Sequence, residues 1–172
     1  YNASFFKANK LPLPTKWESD DPNDLTAMWN LCRKIKEINK DITPLGYDSD
    51  DNMYITLSAQ YGIPYISIKD GKGSFDFNNA EAKALVKRLK GYFDEGLFIT
   101  KGTSADNTYT STMFKNQQIV MSIGSYQNKT MVNTNLTPKL LKFHNKMKQE
   151  IMLFLKDLPF ASLKIQKLPM NK

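Results

Sequence analysis

The clearest alternation of apolar and polar residues lies in the stretch Tyr109–Tyr126. There, a short amphipathic turn is followed by the apolar run Ile119–Ile123, which ends abruptly at Gly124. Side chains alternate along this run as they do in a strand with at least one buried face. If the strand belongs to an open α/β sheet, Ser125 and Tyr126 stand at its carboxyl end, where such sheets hold ligands. The same pattern is also typical of an ordinary strand that leads into a turn.

Three further segments have the apolar spacing of amphipathic helices. The first follows acidic residues at positions 20–24, and its pattern predicts a helix of about four turns. Its buried face would consist of Leu25, Met28, Trp29, Leu31, Cys32, Ile35 and Ile38. The second begins near Met53 and stops at Gly62. The third follows two capping asparagines and stops at Gly96. Its core face would consist of Ala82, Leu85, Val86, Leu89, Tyr92 and Phe93.

The segments between these helices predict extended chain and turns. We expect an extended entry at residues 1–6, then a short helical turn, and then an extended path at residues 12–14, where two prolines forbid a helix. Residues 44–46 predict a short strand or a turn, and residues 47–52 predict a polar loop. A glycine-rich turn then precedes a short extended segment at residues 75–77.

The net charge of +7 is concentrated at the end of the chain. Residues 1–125 contain 15 basic and 15 acidic residues, whereas residues 126–172 contain nine lysines and two acidic residues. All eight glycines lie at or before Gly124. The sequence therefore divides into a first domain of residues 1–125 and a basic, glycine-free tail of residues 126–172 with helical spacing. A basic amphipathic helix can bind anionic lipid or nucleic acid, but we favour an incidental helix that covers exposed core.

Residue types that carry catalysis are sparse in this sequence. Cys32, the single cysteine, lies on a helical pattern that indicates a buried apolar side chain rather than a nucleophile. His144, the single histidine, has no second metal ligand near it in the sequence. The acids Asp48, Asp50 and Asp51 lie on one loop, where carboxylates rarely reach the opposed geometry of glycoside hydrolysis. We therefore expect a protein that is not an enzyme and that has no cofactor and no metal site.

Four sequence blocks follow one another in an order that carries a family signal. They are YNASFFKANKLPLPTKWE, DSDDNMYITLSAQYGIPYI, FDFNNAEAKALVKRLKGYFDEGL and YTSTMFKNQQIVMSIGS. Together they resemble the extracellular solute-binding proteins of sugar ABC importers, the family that includes maltose-binding protein. The resemblance implies an α/β fold, namely part of one lobe of a type 2 periplasmic-binding-protein fold, mostly helical with a few short strands. The chain would begin near the crossover into the second lobe, so that the first lobe would be absent.

The resemblance also implies a ligand and the residues that contact it. In the family, the loop that opens the NMYITL-like helix and the residues just after the core strand reach the bound sugar. In this chain the matching positions are Asp50, Asp51, Asn52, Gly124, Ser125 and Tyr126. The implied function is that of a truncated, monomeric component that captures carbohydrate and presents it to ABC permease subunits, without chemistry and without nucleic acid. One lobe alone is expected to bind sugar weakly if at all. The implied location is extracellular or periplasmic, with a tether to the cell membrane in the full-length protein.

The tail departs from the family pattern after residue 125. Residues 142–169 can be encoded by codons that, when read from two bases further along, give an IPQ segment followed by YVISQGP. These two segments resemble the family's continuation. We therefore interpret the tail as a frame-shifted translation, and stop codons in the alternative frame of the coding DNA would refute this. Two other functions stay open. One is a basic interaction module whose tail binds anionic lipid or nucleic acid in a salt-dependent manner; the other is a glycoside-processing enzyme that uses the clustered acids.

Overall fold

The structure, a computed structural model, describes residues 1–124. Ser125, Tyr126 and the predicted tail of residues 126–172 lie outside this range. The described elements, in chain order, are α1 (Ala3–Ala8), α2 (Met28–Ile38), β1 (Thr43–Tyr47), α3 (Asp50–Tyr61), β2 (Ile66–Lys69), β3 (Lys72–Phe75), α4 (Ala80–Asp94), β4 (Phe98–Thr100), a 3-10 turn (Ala105–Asn107), α5 (Thr110–Lys115) and β5 (Ile119–Ile123). None of the helices in this range is long and apolar enough to cross a membrane.

Three strands form a parallel sheet in the order β4-β1-β5. Leu45 of β1 lies opposite Phe98 of β4 on one side and opposite Met121 of β5 on the other. Because the three strands run in the same direction, their carboxyl ends meet at one edge of the sheet. The chain goes from β1 to its neighbour β4 and then crosses over to β5, on the other side of β1. The direction in which successive strands are added to the sheet therefore reverses between β1 and β5. The predicted α/β class is confirmed as a mixed fold with a parallel sheet and helices.

The predicted strand at residues 119–123 and the predicted helices are present. β5 buries its first three residues, and α3 ends at Gly62, which has the left-handed φ of 66° that favours glycine. Helix α4 is capped by the Asn79 side chain, which accepts a hydrogen bond from the Ala82 amide over 2.7 Å. Gly96, with a φ of 69°, follows the end of α4 as predicted.

The core is formed by the apolar faces of α2 and α4 around the sheet. Helix α2 packs against β1, and α4 packs against β4. The two helices are joined by Trp29 and Tyr92, whose rings stack with centroids 4.2 Å apart. The predicted core faces were too wide, because Ile38, Val86 and Phe93 are each 40% exposed. Their positions lie on the flank of each helix, beside the narrower stripe that contacts the sheet.

The entry of the chain is helical rather than extended, contrary to the sequence prediction. Helix α1 begins after Asn2, whose side-chain oxygen accepts a hydrogen bond from the Phe5 amide over 3.1 Å. This N-cap satisfies one of the amides that the first helical turn leaves without a partner. Phe6 is buried in the core and attaches the helix to it.

The predicted polar loop at residues 47–52 was also wrong. Tyr47 is the last residue of β1 and is buried because it pairs with Thr100 on one side and Ile123 on the other. Helix α3 begins at Asp50, so only residues 48 and 49 lie between the strand and the helix. The strand β4 was not predicted, since its three residues are too few to show a pattern.

Candidate functional site

A cavity of about 790 Å³ opens at the carboxyl ends of β1 and β5, where the strand progression reverses. In open α/β sheets this switch point is the usual place for a bound small molecule. Its described lining combines aromatic rings with hydroxyl, amide and carboxylate groups. These lining residues are Tyr47, Asp48, Ser49, Asn52, Thr56, Tyr109, Ser111, Thr112, Ile123 and Gly124.

Asp48 connects three elements at the edge of this cavity. Its amide donates a hydrogen bond to the Ile123 carbonyl over 2.9 Å, which extends the pairing of β1 with β5. Oδ1 of its carboxylate accepts hydrogen bonds from the Thr110 hydroxyl over 2.9 Å and from the Ser111 amide over 2.7 Å. The Asp48 side chain is buried, and buried polar groups are stable in a folded protein when they are hydrogen-bonded. Asp48 therefore fixes the start of α5 to the end of β1.

Gly46 makes this arrangement sterically possible. A Cβ atom at this position would lie 2.5 Å from the Thr110 Cβ and 2.5 Å from the Ile119 Cδ1. These distances are far below van der Waals contact, so α5 can lie this close to β1 only over a residue without a side chain. The closeness of the two elements is what brings Thr110 within reach of Asp48.

The other side of the cavity is formed by the first turn of α3. The Ser49 hydroxyl accepts a hydrogen bond from the Asn52 amide over 3.2 Å and caps the helix. The Asn52 side chain is exposed and lines the cavity. Its amide group offers two donors and an acceptor to a ligand.

Asp50 has a structural contact on the opposite side of α3. Its carboxylate accepts a hydrogen bond from the Thr100 hydroxyl through Oδ1 and another from the Gly102 amide over 2.9 Å through Oδ2. Thr100 is the last residue of β4, so this clasp joins α3 to the loop that follows β4. Asp51 is exposed. Neither Asp50 nor Asp51 is among the described residues that line the cavity.

Two tyrosines give the cavity its aromatic surface. Burial raises the pKa of Tyr47, and a hydrogen bond with Thr56 opposes that shift. Tyr109 is 52% exposed, and the Lys101 ammonium lies 4.1 Å from the centroid of its ring. This cation–π contact favours one orientation of an otherwise mobile surface side chain.

The structure brings together two of the six residues that the family resemblance implied for ligand contact. Asn52 and Gly124 line the same cavity, Asp50 and Asp51 lie outside its described lining, and Ser125 and Tyr126 lie outside the described residues. Neither Tyr47 nor Tyr109 was predicted from the sequence as a site residue. The burial of Tyr47 depends on pairing with two strands distant in the sequence, and nothing in the local pattern around either tyrosine indicates a cavity.

Within residues 1–124, no group of three or more histidine, cysteine or acidic side chains is placed to hold a metal ion. Cys32 is fully buried, and burial raises the pKa of its thiol, so the described structure keeps it as the neutral thiol. The arrangement at the cavity offers hydrogen bonds and aromatic contact to a small molecule. Comparisons of this chain with protein families, with curated proteins and with solved structures find no match.

Proposed function

We propose that this chain is the carbohydrate-binding component of an ABC importer, in which residues 1–124 form part of one lobe of a type 2 periplasmic-binding-protein fold. The observation that carries the proposal is the cavity at the carboxyl ends of β1 and β5, with its two tyrosines and its amide, hydroxyl and carboxylate groups. Small-molecule sites combine such walls with a few polar groups that fix the orientation of the ligand.

The lining suits the two kinds of surface that a sugar presents. The ring of Tyr109 can pack against the C–H side of a pyranose, and Lys101 already restrains that ring. The Asn52 amide and the Thr112 hydroxyl, both exposed in the cavity lining, can form hydrogen bonds with the sugar hydroxyls.

The proposed mechanism is reversible capture without chemistry. The ligand would be held at the cavity and then presented to permease subunits, as the resemblance of residues 1–125 to sugar-binding proteins implies. A second lobe would supply further contacts and close over the ligand, so that residues 1–124 alone account for part of the affinity. The proposed setting is the extracellular or periplasmic side of the membrane, with a monomeric protein tethered to it.

Calorimetric titration of the whole chain with a panel of neutral mono-, di- and oligosaccharides tests this proposal. We expect at least one sugar to bind, and we expect Tyr109→Ala and Asn52→Ala each to weaken binding about tenfold, which corresponds to about 1.4 kcal/mol. The matched control is Phe75→Ala, because Phe75 is an exposed aromatic residue at 63% that lies outside the cavity lining. Its replacement should leave the affinity unchanged.

Two results would refute the proposal. One is that no sugar in the panel binds to a chain whose circular dichroism shows that it is folded. The other is that a sugar binds with the same affinity to the wild type and to the Tyr109→Ala and Asn52→Ala variants, since the ligand would then lie elsewhere.

A further inference from the structure

A second concave surface lies between α4 and the β2–β3 hairpin, apart from the candidate sugar site. It encloses about 490 Å³ and is almost entirely apolar at its base. The base is formed by Phe75, Phe77, Ala82 and Val86. We call this surface the α4 groove. Its residues are absent from the described lining of the sugar cavity, so the two surfaces can be tested separately.

The apolar surface continues from the groove along one face of the hairpin. Ile66 lies opposite Phe75 and Ile68 lies opposite Gly73, so these side chains share one face of the two-stranded sheet. Ile66, Ile68 and Phe75 are 62%, 55% and 63% exposed. Serines occupy the opposite face, where the hydroxyls of Ser67 and Ser74 lie 2.8 Å apart. All residues of β2 and β3 are exposed, so the apolar face of the hairpin has no covering element among the described residues.

The rim of the groove is positively charged although residues 1–125 have no net charge. Lys83, Lys87 and Lys90 line the groove along α4, and no acidic side chain is among its described lining residues. Lys90 is paired with Asp94 at 2.6 Å. Lys83 and Lys87 form no ion pair with any residue in the described range. Two uncompensated ammonium groups therefore lie beside an exposed apolar surface.

We propose that the α4 groove binds an acidic amphipathic helix of a partner protein. The apolar side chains of that helix would pack against Phe75, Phe77 and Val86, and carboxylates beside them would face Lys83 and Lys87. Lys83 and Lys87 are four positions apart, which is about one helical turn, so acidic residues at i and i+4 of the partner match their spacing. This is the helix-in-groove mode of recognition, in which the apolar anchors carry affinity and the rim charges select the partner.

Charge separates this partner from the chain's own C-terminal residues. Residues 126–172 contain nine lysines and two acidic residues, so their charge has the same sign as that of the groove. An acidic helix complements the charge of Lys83 and Lys87.

The test uses the full chain and a fluorescent synthetic helix of about four turns, with leucine and phenylalanine on one face and glutamate beside them. Its control peptide carries lysine in place of each glutamate. Fluorescence anisotropy should show binding of the acidic peptide alone, with an affinity that falls as salt is added. Phe75→Ser and the double variant K83E/K87E should each weaken binding about tenfold or more.

Matched controls and alternative outcomes make the test decisive. Lys40→Glu and Ile55→Ser change an exposed lysine and an exposed apolar residue away from the groove, and binding should remain as in the wild type. Equal binding of both peptides would overturn the proposal. The proposal would also be overturned if the acidic peptide did not bind and the chain bound phosphatidylglycerol vesicles in a manner that the same groove variants abolish. Concentration-dependent dimerisation in sedimentation that those variants abolish would overturn it as well, in favour of a second copy.

Discussion

Gly46 is the position where the parallel sheet and the candidate site depend most directly on one residue. In a Gly46→Ala variant the new methyl group would meet the Thr110 Cβ and the Ile119 Cδ1, each at 2.5 Å. The end of the Ile119 side chain can rotate away. The Thr110 Cβ is bonded to the backbone of α5, so α5 itself must shift by about 1 Å to restore contact distance.

The cost of this shift can be worked from known effects of overpacking. Adding a methyl group to a tightly packed core costs about 1–3 kcal/mol. Replacing Gly by Ala also reduces the conformational entropy of the unfolded chain, which stabilises the folded state by about 0.4–1 kcal/mol and partly offsets this cost. We therefore expect Gly46→Ala to lower the free energy of unfolding by about 1–2 kcal/mol.

Gly91 provides the matched control for the same substitution. It lies in α4, is exposed, and a Cβ there would have no neighbour within 4 Å. Gly91→Ala should raise the free energy of unfolding by about 0.5–1 kcal/mol, since Ala is the better helix former. One chemical change is thus expected to act in opposite directions at the two positions.

Urea denaturation followed by tryptophan fluorescence measures both effects, because Trp29 is buried in the core. With a slope of about 2 kcal/mol per molar urea, Gly46→Ala should lower the midpoint by about 0.5–1 M without changing the slope. The reasoning would be refuted if Gly91→Ala raised the midpoint and the midpoint of Gly46→Ala were equal to or above that of the wild type. That result would show that α5 does not pack closely against Gly46.

Three other predictions concern single side chains. Asp50→Ala should lower the free energy of unfolding by about 1–3 kcal/mol, because the Thr100 hydroxyl and the Gly102 amide lose their acceptor. Asp51→Ala should change it by less than about 0.5 kcal/mol, and equal urea midpoints for the two variants would contradict the clasp. Cys32 should not react with a thiol reagent until the protein unfolds, and rapid labelling of the native chain would disprove its burial. The Lys16 ammonium and the Thr26 hydroxyl hold the pKa of Asp24 well below its usual range. This stabilisation is present above the ordinary aspartate pKa and is lost as the pH falls from there towards the lowered pKa of Asp24. In the Asp24→Asn variant the urea midpoint should therefore decrease less steeply with falling pH than in the wild type. An unchanged decline would contradict this role.

Elements with long or strongly punctuated patterns could be predicted from the sequence. Helix α2 has apolar residues at three- and four-residue spacing, and α3 and α4 are each followed by a glycine with positive φ. The bounds were less accurate, since α2 begins at Met28 rather than near Leu25. Helix α1 begins at Ala3, earlier than the short helical turn that was predicted after residue 6, although Asn2 carried a usable N-cap signal.

The candidate site could not be assembled from local patterns, because its contacts join residues far apart in the chain. Asp48 and Thr110 are separated by 62 positions, and their hydrogen bond forms only because β1 pairs with β5 beneath α5. The clasp between Asp50 and Thr100 spans 50 positions. The three-residue strand β4 that sets the position of Thr100 has no periodicity of its own. The sequence showed which acids were present but not what each one contacts.

These contacts bear on the kind of ligand that the cavity can accept. Oδ1 of Asp48 already receives two hydrogen bonds from α5, and both oxygens of the Asp50 carboxylate are bound at β4. Asp48 and Asp50 thus hold α5 and α3 to the sheet, while Asp51 is exposed and lies outside the described lining of the cavity. What remains for recognition is the neutral amide of Asn52, hydroxyl groups and the ring of Tyr109. Such a surface favours a neutral, hydroxyl-rich molecule over a cation, so tighter binding of an amino sugar than of its neutral parent would contradict this assignment.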